Sequence, residues 1–154
     1  MMKFLGLAAL ALTLTGSAAL ADDGVPVEGI LAVNFTGAPT SPGLIAITAN
    51  GVGRLTSVGN LSFQLQKTLD LTGKVPTYYG TFTITAANGD TLTGTYSAVG
   101  APTDAAGFGT FSGQLAITGG TGRFQAASGI IPFSAMANAN LGQAAYSLQG
   151  SLHL

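Results

Sequence analysis

The chain has no cysteine and no tryptophan, a single histidine, and charged side chains at only 7% of its 154 positions. Each shortage closes off a class of chemistry. Without cysteine there are no disulfide staples, thiolate metal ligands or cysteine nucleophile, so the fold must hold by burial and backbone hydrogen bonding. His153 stands next to the C-terminal residue with no carboxylate or second ligand beside it in sequence. That supplies neither a Ser-His-Asp arrangement nor a metal site. The cations beyond residue 21 (Arg54, Lys67, Lys74 and Arg123) are scattered, and the carboxylates Asp22, Asp23, Glu28, Asp70, Asp90 and Asp104 outnumber them. No basic patch exists for a nucleic-acid backbone, and no polybasic run for an anionic membrane surface.

The first residues read as an address. Met1-Met2-Lys3 is a short positive segment, residues 4–14 are apolar but too few to span a bilayer, and Ala19-Leu20-Ala21 is a small-x-small cleavage site. The expectation is a secretory signal over residues 1–21, a bacterial protein exported to the periplasm or beyond, and one domain over residues 22–154. A domain of that size is long enough to bury a core.

What is abundant is glycine, at 23 positions, together with threonine and β-branched residues. Helical periodicity is missing, and alternation with period two recurs at the spacing of sandwiches and barrels. Residues 25–36 read as a first strand, followed by a loop over 37–43. Residues 44–49 form the next, interrupted at Asn50-Gly51-Val52-Gly53. Leu61, Phe63 and Leu65 then alternate with Ser62, Gln64 and Gln66, and the chain turns near Gly73-Lys74-Val75-Pro76. Phe82 and Ile84, between threonines, and Leu92 and Tyr96, between Thr91, Thr93, Thr95 and Ser97, flank Asn88-Gly89-Asp90. An Asn-Gly between alternating runs is a strong hairpin signal. Strands over 108–118, 130–137 and 144–154 complete the count at about eight. The fold class expected is all-β, a single eight-stranded antiparallel barrel whose interior side chains or one small ligand can fill.

The segment from Ile117 to Gly129, with Gly119-Gly120-Thr121-Gly122-Arg123-Phe124 at its heart, resembles the glycine signature of the allene oxide cyclase-like and dirigent-like barrels. Ala87-Asn88-Gly89-Asp90-Thr91-Leu92 is similar to that family's mid-chain hairpin, and Gly53-Arg54-Leu55-Thr56-Ser57-Val58-Gly59 to a segment of its exported bacterial members. The resemblance implies a calycin-type barrel with an apolar lumen that holds a lipid-like or phenolic molecule without a cofactor. Two departures limit it. Ser57 stands where the bacterial segment usually has histidine, and Gln125 and Ser128 stand where dirigent proteins commonly have arginine. The fold transfers more readily than the reaction.

No catalytic residue and no metal ligand stands out, and four residues are candidates for ligand contact. Arg123 either reaches over the barrel mouth to a ligand carboxylate or bridges to Asp90 or Asp104 and pins a loop. Arg54 divides the same way. Tyr96, in phase with Leu92, is either a satisfied core tyrosine or a polar handle for a ligand. Glu28 shares a side with Ile30 and Ala32; facing inward it would be an acid or base with a raised pKa, facing outward a solvated charge. The glycine run is not a phosphate loop, since no GK[ST] follows and no helix opens behind it.

The leading expectation is an exported soluble barrel that binds a small hydrophobic molecule in its lumen. Its alternative is a cofactor-independent cyclase or isomerase in the same lumen, which a titrating residue inside would favour. A small outer-membrane barrel is a third reading, prompted by the alternation of Tyr146, Leu148, Gly150, Leu152 and Leu154; the lack of tryptophan for aromatic girdles argues against it. In a fourth, the lumen is self-filled and the threonine-rich exterior serves a protein or polymer partner or a homo-oligomer interface.

Overall fold

Strands with one apolar face and no helix to cover it bury that face by closing the sheet on itself. The computed structural model, which describes residues 24–101 and 103–154, adopts this solution. Strands β1 (Val25–Ser41), β2 (Leu44–Leu55), β3 (Gly59–Asp70), β4 (Thr77–Ala86), β5 (Thr91–Gly100), β6 (Phe108–Gly120), β7 (Gly129–Asn138) and β8 (Gln143–Leu152) pair in chain order, and β8 closes on β1. Every pairing is antiparallel. The all-β, eight-stranded antiparallel barrel expected from the alternation is the fold. The expected signal segment, residues 1–21, lies outside the described residues.

The inward parity is the apolar one. Leu31, Phe63, Leu65, Phe82, Ile84, Leu92, Leu115, Ile131, Tyr146 and Leu148 are all buried in one continuous core. Outward positions line up in uncharged polar rows, such as Asn50, Gln64, Thr83 and Thr93, or Thr48, Gln66, Thr81 and Thr95. A lipid-facing barrel alternates the other way, with its apolar band outside. Tyr146, Leu148 and Leu152, which prompted the membrane reading, face the lumen and are buried.

Two boundaries differ from expectation. β1 runs on through the presumed loop to Ser41, and β2 passes unbroken through Asn50-Gly51-Val52-Gly53. Glycine there marks a close approach of two strands, not reversal. Gly51 and Gly53 take inward positions against β1, where a Cβ would strike the carbonyls of Ala32 and Ile30. Bare glycine lets the two backbones approach that closely. The reversal comes at Pro42-Gly43, with Gly43 at φ +80°.

In an up-and-down barrel alternate hairpins lie at opposite ends. The glycine motif shuts one of them. After β6 the chain makes a single 3-10 turn, Gly122–Phe124, which carries the Phe124 ring to complete burial in the core. Gly122 sits at φ +59°, and a Cβ there would land on the Asp90 carboxylate. Glycine is therefore required on both conformational and steric grounds. Asp90, in the Asn88-Gly89-Asp90 turn, accepts from the Arg123 backbone N–H at 3.3 Å. Thr121 Oγ1 accepts the Thr91 N–H at 3.0 Å, tying the two loops together. On the same end Ser57, the only non-glycine residue with positive φ among the described residues, donates its hydroxyl to the Pro26 carbonyl at 3.0 Å. Ser57 thus closes a turn onto β1.

Candidate site in the barrel lumen

The alternation Leu61, Phe63, Leu65 on β3 continues in phase to Lys67, and the structure keeps that phase. Lys67 points into the barrel, 9% exposed, and is the one buried charged side chain among the described residues. The register explains how it fits. Lys67 lies opposite Gly80 on β4, and Gly80 lies opposite Tyr96 on β5. With no side chain at Gly80, Lys67 and Tyr96 meet across the gap. Lys67 Nζ donates to Tyr96 Oη at 3.2 Å and to Tyr146 Oη at 3.3 Å, and the two phenol oxygens are 2.9 Å apart.

Around this triangle the lumen is aromatic. The ammonium lies 4.6 Å from the Tyr78 ring centroid, 4.7 Å from Phe111 and 4.8 Å from Tyr96. Phe133 and Phe111 pack on Tyr146 at 5.1 and 5.5 Å between centroids. Ring faces offer the cation some of the stabilisation that water has withdrawn. They do not replace a counter-ion, and the only ion pair among the described residues is Arg123–Asp90. Burial accordingly pushes the Lys67 ammonium down to about 7. Burial pushes the phenols of Tyr96 and Tyr146 up, and for Tyr96 the neighbouring Tyr146 adds to it. Burial raises Tyr78 as well. At neutral pH the site is an amine poised between its two protonation states, beside phenols held protonated.

Above it is a cavity of about 100 Å³. Lys67, Tyr78, Phe111 and Tyr146 form its deep wall, with Val33 and Ala49 beside them. Tyr96 touches it only through its two partners. The cavity lies at the end opposite the glycine motif, under the β5–β6 and β7–β8 connections, where Thr103, Gly107 and Ala139 line the mouth. Those connections are joined, Ala139 N–H to the Gly107 carbonyl at 2.8 Å and Asn140 Nδ2 to the Ala106 carbonyl at 3.1 Å. A broader open groove of about 650 Å³ crosses the outer wall between Ile30, Val99 and Met136, over Ser112, Ser134 and Ser147, and carries no charged side chain.

Of the four sequence candidates, only Tyr96 enters the lumen site. Glu28 is exposed on the outer face of β1, so the conditions for an inward acid or base are not met. Arg54 is exposed at the end of β2, with Nη1 3.2 Å from Asn60 Oδ1. Arg123 takes the loop-pinning option: Nε is 3.8 Å from Asp90, Nη2 donates to the Val58 carbonyl at 3.0 Å, and the guanidinium lies 4.5 Å from the Phe124 ring centroid. All three belong to the closed end. Lys67 and Tyr146 were missed, yet both carried the signal, since each sits in phase with a run of inward apolar residues.

No known protein-family model, no curated protein and no solved structure matches this chain. Its function is to be read from the lumen itself. Among the described residues no cluster of three or more His, Cys, Asp or Glu is placed to hold a metal ion.

Proposed function

We propose that this chain is an exported barrel that takes a small, mainly apolar molecule into the mouth-side cavity and holds its one polar end at Lys67 and Tyr146. The observation that carries this is a buried amine, without a carboxylate partner among the described residues, facing an apolar cavity. A buried polar group left part-satisfied is costly, and a ligand oxygen placed there would relieve it. The volume narrows the ligand class. A dry cavity of about 150 Å³ admits benzene, so a void of this size suits a short chain or part of a single ring, with any longer body extending through the mouth. Lipid-like or phenolic molecules, expected from the resemblance to allene oxide cyclase-like barrels, meet that description at the small end of their range.

A second reading is favoured by Lys67 itself. An amine titrating near neutrality inside the lumen is the acid–base group that a cofactor-independent isomerase or cyclase needs. Native mass spectrometry of the protein purified from its own host without detergent tests the main reading. A mature chain beginning at Asp22, carrying an added mass that leaves on denaturation and is missing from Lys67→Met, is the expected result. An apo mass in both proteins would sink lumen binding and move attention to the outer groove.

A further inference from the structure

We infer that Lys67 captures a small aldehyde or ketone as a reversible imine at the floor of the cavity. This rests on the reading that the cavity takes a ligand, and it names the ligand's reacting group. The support is geometric. The amine reaches an apolar cavity that Tyr146 also lines, and Tyr146 Oη lies 3.3 Å from Nζ. A lysine becomes a nucleophile toward carbonyls when it is desolvated and free of a counter-ion. The titratable groups facing Lys67 are Tyr78 from β4, Tyr96 from β5 and Tyr146 from β8; β6 contributes only the Phe111 ring. Nothing facing it among the described residues is an acid strong enough to hold the amine protonated at neutral pH. A carboxylate ligand would need only the ammonium, for which an exposed cation suffices; neutral phenols beside an amine without a carboxylate partner among the described residues are the equipment for condensation.

The step is balanced without any oxidant. The nitrogen lone pair forms the C–N bond while the carbonyl pair moves to oxygen, which takes the Tyr146 phenol proton. The nitrogen's surplus proton returns to that phenolate, giving the carbinolamine. Loss of the second N–H proton to the departing hydroxyl, through the phenol, releases water toward the mouth and leaves the imine. Hydrolysis is the same path reversed.

Butanal is the test carbonyl and 1-butanol its counterpart without one. The mature protein is incubated with butanal and cyanoborohydride at pH 7, and the reduced adduct is located by peptide mass spectrometry. The expected result is a single butyl group on Lys67, formed roughly tenfold or more faster than on the exposed Lys74, and competed by 1-butanol. Lys67→Arg, which keeps a cation that does not condense, should leave only the Lys74 and α-amine products. Adducts confined to Lys74 and the α-amine, while 1-butanol still shifts the tyrosine NMR signals, overturn the imine and leave the binding reading standing. No Lys67 adduct and no shift with 1-butanol removes both. Because the wild-type adduct is mapped residue by residue, the outcome does not depend on a variant folding.

Discussion

At one end of the barrel Phe124 is fully buried beneath a turn held by Asp90; at the other Lys67 is buried against three tyrosines and a phenylalanine, beneath an open mouth. The ends share a scaffold and differ in how they treat polar groups. At the closed end polar side chains stay on the rim and bond to backbone: Thr121 to Thr91, Ser57 to Pro26, Arg123 to Val58. At the open end a charge-bearing group is carried inside and left without a counter-ion among the described residues. The first arrangement is what stability asks for, and the second lowers stability and leaves a reactive group. That contrast separates the barrel's foundation from its site, and three measurements sharpen it.

The largest effect is expected at the closed end. Phe124→Ala removes a fully buried ring and should lower the unfolding free energy by about 3–5 kcal/mol in a denaturant titration. A loss under about 1 kcal/mol would mean that the plug is not part of the core. If cavity binding survives in the folded fraction, the two ends are independent.

Next comes Lys67→Met, at the open end. With the folded ammonium at about 7 and an ordinary value of 10.5, the unfolded chain binds more protons between those limits. Stability therefore rises with pH from about 7 to about 10, by on the order of a few kcal/mol. Above about 10 the unfolded tyrosines ionise while those in the barrel resist, and stability falls again. Lys67→Met should abolish the rise and, at pH 7, should match or exceed the wild type. A wild-type profile flat from pH 7 to 10, or a variant with the same slope, would contradict a buried and desolvated amine.

The smallest effects belong to the outer wall. Glu28→Gln and Arg54→Ala should each change stability by no more than about 0.5 kcal/mol and leave any bound mass in place. Loss of the ligand from either would relocate the site to the closed end.

Much of the fold was legible because a strand's period is short and local. Phe82 and Ile84 among threonines, and Leu92 and Tyr96 across Asn88-Gly89, show their inward faces within a few residues of text. Gly51 and Gly53 misled because glycine has two uses, reversing a chain and letting strands approach, and only the neighbouring strand tells which applies. The candidate site was harder. Charge drew attention to Glu28, Arg54 and Arg123, whereas the informative signal was phase: Lys67 falls two residues after Leu65 on the same face, and Tyr146 two before Leu148. A charged residue in an apolar register is the anomaly to follow.

The sequence by itself determined that the chain is all-β, how many strands it has, and which parity of most of them is apolar, since these follow from local alternation. Tertiary structure alone decided the registers on which the sheet closes, that the glycine motif plugs one end, and that Lys67 meets Tyr96 and Tyr146, respectively 29 and 79 residues further along the chain. Registers set by pairing around the whole barrel bring those three together, and no stretch of sequence contains that information.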